Sequence, residues 1–178
     1  MNFMKLIFLM TCIFSAKSFA EEKPPKVYIE SDRCSYEQKW KAEKDVLLFD
    51  KIGGRKKTGV VKKGETVTTL AGERHIVPTP MKVVFQHGDY KVGDQVYLLT
   101  PLEEGEQKVW WKGRVITEDV NFLYDTEHNG TCSPPAEKCW GRILGEQSEQ
   151  RWVKIKQNNG SIGWTKAISD FDNSDLCN

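Results

Sequence analysis

Arg151-Trp-Val-Lys-Ile-Lys-Gln-Asn-Asn-Gly-Ser-Ile-Gly-Trp-Thr165 is the stretch whose reading decides the fold class. From Arg151 to Lys156 polar and apolar residues alternate with a period of two, which is the pattern of a strand with one face buried. Asn158-Asn-Gly160 then supplies residues that tolerate positive φ, and Ser161 to Thr165 returns as a second alternating run. Two such runs around an Asn-Gly turn predict a β-hairpin.

Outward from this hairpin the same signals recur. Lys44 to Asp50 is a short apolar run that stops at Gly53-Gly54, and Gly59-Val-Val61 precedes the turn Lys62-Lys-Gly-Glu65. Thr66-Val-Thr-Thr-Leu70 is β-branched, and Met81 to Phe85 follows the breaker Pro78-Thr-Pro80. Val92-Gly-Asp94 is a turn before the strand Gln95 to Leu99. Glu103-Glu-Gly-Glu106 is a polar tip before the run Val109 to Ile116, and Val120 to Tyr124 is one more candidate strand. Many short strands with frequent turns predict an all-β protein, a small sandwich or barrel. Helix signals are scarce: Ser35 to Glu43 has room for a turn or two, and Ala167 to Asp170 for a short 3₁₀ stretch.

Two stretches carry a family resemblance. Val60-Val-Lys-Lys-Gly-Glu-Thr-Val-Thr-Thr-Leu70 is similar to the first half of a bacterial SH3-like domain, with its apolar strand, Lys-Gly turn and alternating strand. The opening hairpin resembles the closing hairpin of that family, with Trp152, Gly160, Gly163 and Trp164 in register. The resemblance implies small SH3-like barrels, but the two stretches lie further apart than one such domain allows. Two layouts reconcile them. In the favoured one, two barrels pack in tandem, over 45–117 and 118–178, after a signal peptide (1–20) and an N-terminal extension (21–44). In the other, a single barrel is split and residues 71–150 are inserted.

The first twenty residues read as a secretory signal peptide: a charged start ending at Lys5, an apolar stretch from Leu6 to Phe14, and Ser18-Phe-Ala20 as a cleavage site. The apolar run is about nine residues, well short of the roughly twenty that span a bilayer. Leu9-Met-Thr-Cys12 resembles a lipobox only loosely, because Thr stands where Gly or Ala is usual. The expected mature chain begins at Glu21 in the periplasm or outside the cell, with no stable membrane insertion. Export makes disulfides the default for Cys34, Cys132, Cys139 and Cys177. Chain termini often lie close together, so the expected pairs are Cys34–Cys177 and Cys132–Cys139. Zinc is the competing use, but no Cys pair has the two-to-four spacing of structural sites; no metal and no cofactor is expected.

Of 178 residues, 39% are hydrophobic and the net charge is +1, which excludes a disordered chain and a globally basic nucleic-acid binder. His75, His87 and His128 lie in no nucleophile, zinc-protease or phosphate-loop motif. Every mature cysteine has a disulfide partner in prospect, so a catalytic thiolate is not expected. These features predict a binding module rather than an enzyme. Charge is local instead: Lys51, Arg55, Lys56, Lys57, Lys62 and Lys63 fall in a segment, 51–63, that holds no acid.

In an SH3-like barrel that segment would border the ligand groove, its wall running from Lys51 to Lys57. The opposite wall would lie near Glu103 to Trp111. Trp110 and Trp111 are strand neighbours, so their side chains point to opposite faces; one must lie at the surface, against a partner or under a loop. One of the pair is read as a binding residue, with burial beneath residues 71–90 as the alternative. Trp152 and Trp164 are read as core or groove wall. Family members commonly bind peptidoglycan or envelope proteins, so the resemblance implies one of these as partner. An inhibitor or immunity-type protein acting on an envelope enzyme is the alternative.

Overall fold

The computed structural model describes residues 23–32, 37–120 and 140–172. Over these the protein is all-β. In chain order the strands are β1 (Tyr28–Ser31), β2 (Lys39–Ala42), β3 (Val46–Phe49), β4 (Lys57–Val61), β5 (Thr66–Val77), β6 (Thr79–Val83) and β7 (Gln95–Pro101). They continue as β8 (Glu106–Trp111), β9 (Arg114–Asp119), β10 (Gly141–Ile143), β11 (Ser148–Lys156), β12 (Ile162–Thr165) and β13 (Phe171–Asp172). Single 3₁₀ turns occupy Glu103–Gly105 and Ile168–Asp170, the latter as expected from sequence.

The hairpin predicted from Arg151 to Thr165 forms as β11 and β12, with Val153 opposite Thr165 and Ile155 opposite Gly163. Its loop has three residues. Gly160 donates to the Gln157 carbonyl at 3.0 Å and adopts φ +86°, the left-handed position that closes a type I turn into a hairpin.

Two sheets are built. The larger runs β13-β2-β5-β11-β12-β3-β4, with β1 pairing β5 beyond β2. The smaller runs β10-β6-β7-β8-β9. The long strand β5 lies antiparallel to β11 from Thr68 opposite Lys156 to Val77 opposite Ser148. That ladder puts Val60–Leu70 and Arg151–Thr165 into one sheet, while the smaller sheet comes wholly from 79–143. The sheets therefore do not divide at 117/118 as the tandem layout requires. In the chain, the strands of the smaller sheet fall between β5 and β11, which pair with each other.

Each sheet has its own apolar core. Trp40, Val46, Leu48, Val61, Val67, Val153, Ile155 and Phe171 form the core of the larger, which curls around them. Met81, Val83, Tyr90, Val96, Leu98, Val109, Trp111 and Trp140 form that of the smaller. Gln157 is buried, donating to the Val60 carbonyl at 3.0 Å and to Glu65 at 3.2 Å. The turn at Gly64 and Glu65 is held on Ala42 by two backbone hydrogen bonds.

Two local expectations are corrected. Lys39-Trp-Lys-Ala42, inside the stretch read as a helical turn, is a strand, because alternation buries Trp40 and Ala42 and exposes both lysines. The run Val109 to Ile116 is a hairpin rather than one strand. Lys112 and Gly113 both take positive φ, 46° and 80°, which is the requirement of a type I′ turn.

The two sheets meet at β1. Glu30 accepts hydrogen bonds from Lys108 on β8 and, at 2.7 Å, from Thr100 on β7. Beside it, Arg151 holds Asp32 at 2.9 Å and Arg74 grips both oxygens of Glu149, at 2.8 and 2.6 Å. The inner face of the β5–β11 ladder thus passes from apolar core to a paired charge network where the second sheet arrives.

Candidate binding surface

Neither Trp110 nor Trp111 offers a face for stacking. They point to opposite sides of β8, as expected, but both are buried, 8% and 7% exposed. Trp111 is in the core of the smaller sheet, with the Tyr90 ring edge-on at 4.6 Å and Lys112 over its outer side at 4.1 Å. Trp110 meets Tyr97 across the strand pair at 5.7 Å. It shares its face with Lys108, and Lys108 reaches Glu30, so this face is the one turned toward the larger sheet. The expectation of a surface indole at this pair is corrected: junction and core take one each.

The basic segment is where the sequence put it, on an exposed loop. Lys51, Arg55, Lys56 and Lys57 sit at the tip of the β3–β4 hairpin, closed by the Asp50 backbone N–H donating to the Lys56 carbonyl at 3.0 Å. Lys51, Arg55, Lys56 and Lys57 have no carboxylate partner among the described residues, whereas Lys62 pairs with Asp45 at 2.8 Å. The expected opposite wall, Glu103 to Trp111, belongs to the other sheet. Among the described residues no hydrogen bond, ion pair or ring contact joins the two walls.

The structure brings the basic tip to a different aromatic pair. Across β11, β12, β3 and β4 the register reads Lys154 opposite Trp164, Trp164 opposite Phe49, and Phe49 opposite Lys57. Residues directly opposite one another share a face. Val153, Ile155 and Leu48 point into the core, so this row lies on the outer surface. Trp164 and Phe49 are half-buried, and the Lys154 ammonium stands 5.8 Å from the Trp164 ring centre, within cation–π range.

Around the row the outer face stays apolar. Leu47 lies opposite Val60 and two residues from Phe49, and Ile162 two residues from Trp164, with exposures of 40%, 37% and 43%. A contiguous apolar patch rimmed by cations without a carboxylate partner among the described residues is unusual for a surface with no partner.

Local sequence explains the arrangement. Gly163 lets the β3–β4 hairpin close onto β12: a Cβ there would stand 2.7 Å from the Leu48 Cβ and 2.4 Å from the Thr58 hydroxyl. Trp164 was legible as outward-facing once the loop is counted as three residues, because Lys154 and Trp164 are then opposite. Phe49 was not, because β12 and β3 join at a single residue pair that no local pattern encodes.

Other candidate groups are accounted for. His75 contacts Glu73 at 2.8 Å, and His87 stacks on Trp140 at 4.6 Å. Tyr90 donates to Glu118 at 2.7 Å, and burial, together with that carboxylate, pushes its phenol far above the usual range. Among the described residues no group of three His, Cys, Asp or Glu could hold a metal, and no helix is long and apolar enough to cross a membrane. Cys34, His128, Cys132, Cys139, Cys177 and the expected signal peptide lie outside the described residues.

No family model, curated protein or solved structure matches the chain.

Proposed function

We propose that the protein is an exported, non-catalytic binding module that docks to the cell wall through the outer face of its larger sheet. The observation that carries this reading is the half-buried Trp164 and Phe49 set between Lys154 and Lys57, next to three more unpaired cations. An indole and a phenyl ring give flat apolar area, and the cations select an anionic ligand. On this reading the larger sheet is an SH3-like barrel split by an insertion, which is supported by its curl around one core and its three-residue closing hairpin. The charge network at Glu30, Asp32, Arg74, Glu149 and Arg151 is satisfied internally and serves the junction rather than a ligand.

Pelleting of the exported chain with isolated sacculi tests the proposal. Retention in the pellet that falls with added salt and is lost in the Lys51, Arg55, Lys56 and Lys57 variant to Ser supports it. Absence from the pellet, with one envelope enzyme copurifying instead, replaces it with the inhibitor reading.

A further inference from the structure

Resting on that reading, we infer that the outer face is built for a carboxylated glycan strand lying across β11, β12, β3 and β4, perpendicular to them. The row Lys154–Trp164–Phe49–Lys57 has one residue per strand, and neighbouring strands lie about 4.8 Å apart. The outer lysines are therefore anchored about 14 Å apart, three strand spacings, with two ring faces between them. A ligand that fills the row presents flat apolar surfaces at its centre and anionic groups at both ends. A sugar ring has such a surface in its axial C–H bonds, and a carboxylate on flanking residues meets each ammonium.

Three features separate this from simple attraction of anions. The row takes one residue from each of four neighbouring strands, with a bulge at the Phe49–Lys57 step, so two rings lie between two charges rather than scatter. Its margin of Leu47, Val60 and Ile162 places apolar side chains beside the rings. The cations of the hairpin tip, Lys51, Arg55 and Lys56, follow Phe49 and precede Lys57 along the strand direction, so they flank the Phe49–Lys57 end of the row and the Lys154 end has no such group. Asp50 is the one acid at the tip, and its carboxylate lies folded against Gly54.

Titration of the full exported chain, read by calorimetry and by NMR of 15N-labelled indoles, tests the inference. The probes are a galacturonic acid hexamer, the neutral N-acetylglucosamine hexamer and hexaglutamate. The uronate binds, weakens as salt rises, and shifts the Trp164 indole signal; the other two bind about tenfold more weakly or worse. Trp164→Ala and Lys154→Ala each weaken the uronate by about tenfold or more, as expected of central contacts. Trp164→Phe, which keeps a ring, retains most of the affinity.

Hexaglutamate binding as tightly as the uronate overturns the inference, since charge alone would then suffice. The neutral hexamer binding as tightly overturns it from the other side. Should Trp164→Ala fail to fold, Lys154→Ala and Lys57→Ala decide: unchanged affinity in both places the contact elsewhere and overturns it. Loss of uronate binding with sacculi still retained removes this inference alone, while loss of both removes the cell-wall reading with it.

Discussion

Glu30 shows how a single side chain joins the two sheets and what that costs in acid. Burial pushes its carboxyl up. The hydrogen bonds from Lys108 and Thr100 and the charges of Lys108 and Arg74 outweigh this, and hold it below its ordinary value of 4.5. A depressed carboxyl stabilises the fold fully above the unfolded value, and that stability is lost as pH falls through the folded one. Thermal unfolding should therefore show Glu30→Gln less stable than the parent at pH 7, the two converging as pH drops below 4.5. A gap that stays constant in acid would show that the junction does not depend on this charge. The indoles divide by the same logic of position. Trp111→Ala should destabilise by about 3–5 kcal/mol, the cost of emptying a core site. Trp164→Ala should cost about 1 kcal/mol, as expected of a surface-facing residue, and act on binding instead. Denaturant unfolding compares them, and equal losses would place Trp164 in the core. The sequence showed that Trp110 and Trp111 face opposite ways, which follows from the strand period alone. Which face is covered depends on β1 and Glu30, some eighty residues earlier, and no local pattern carries that.

At the level of elements, turn chemistry was legible and pairing between distant strands was not. Asn158-Asn-Gly160 announced its hairpin because only a residue without Cβ takes φ +86° readily. Lys112-Gly113 hid one, because a Lys at φ 46° is uncommon and the flanking apolar residues read straight through it. Lys39 to Ala42 has no β-branched residue, and its strand state comes from pairing with β5 on one side and β13 on the other. The joint between β12 and β3 is the weakest link in the larger sheet by hydrogen-bonded length, with Trp164 opposite Phe49 as its single pair. Gly163 is what lets it close. Gly163→Ala should cost about 1–3 kcal/mol, as overpacking usually does, and Thr58→Ala should return part of it by removing the nearer clash. Urea unfolding of the two single variants and the double variant measures this; additive losses would deny that the two sites touch.

For the whole molecule, the consequential step is the pairing of β5 with β11, which turns an apparent tandem into one sheet interrupted by another. Sequence read both stretches as strands and did not foresee that they pair, because β-pairing between distant segments is set by tertiary packing rather than local pattern. The same architecture bears on the cysteines. β13 runs antiparallel to β2, with Asp172 opposite Lys41, so the chain leaves β13 at the end of the sheet where it enters β2. On the proposal that the chain is exported, non-reducing peptide mapping should find Cys34–Cys177 and Cys132–Cys139, and crossed pairs or free thiols would refute that. Each bond should contribute about 2–4 kcal/mol.

The insertion itself makes the sharpest prediction. Val77 lies opposite Ser148 at the end of the β5–β11 ladder, so the strands that bracket the smaller sheet are already adjacent where it leaves and returns. Residues 78–147 replaced by an Asn-Gly turn should leave a hairpin of β5 and β11 with the larger sheet's core intact, since none of its members lies in the deleted segment. Ile76, on the same face as Glu30, loses its cover in that variant, so Ile76→Thr should accompany the deletion. The shortened chain should unfold cooperatively and keep the Lys154–Trp164–Phe49–Lys57 row, and so keep uronate binding within about threefold of the full chain. A shortened chain that is unfolded by circular dichroism, with the full chain stable under the same conditions, would show that the larger sheet needs its insertion to stand.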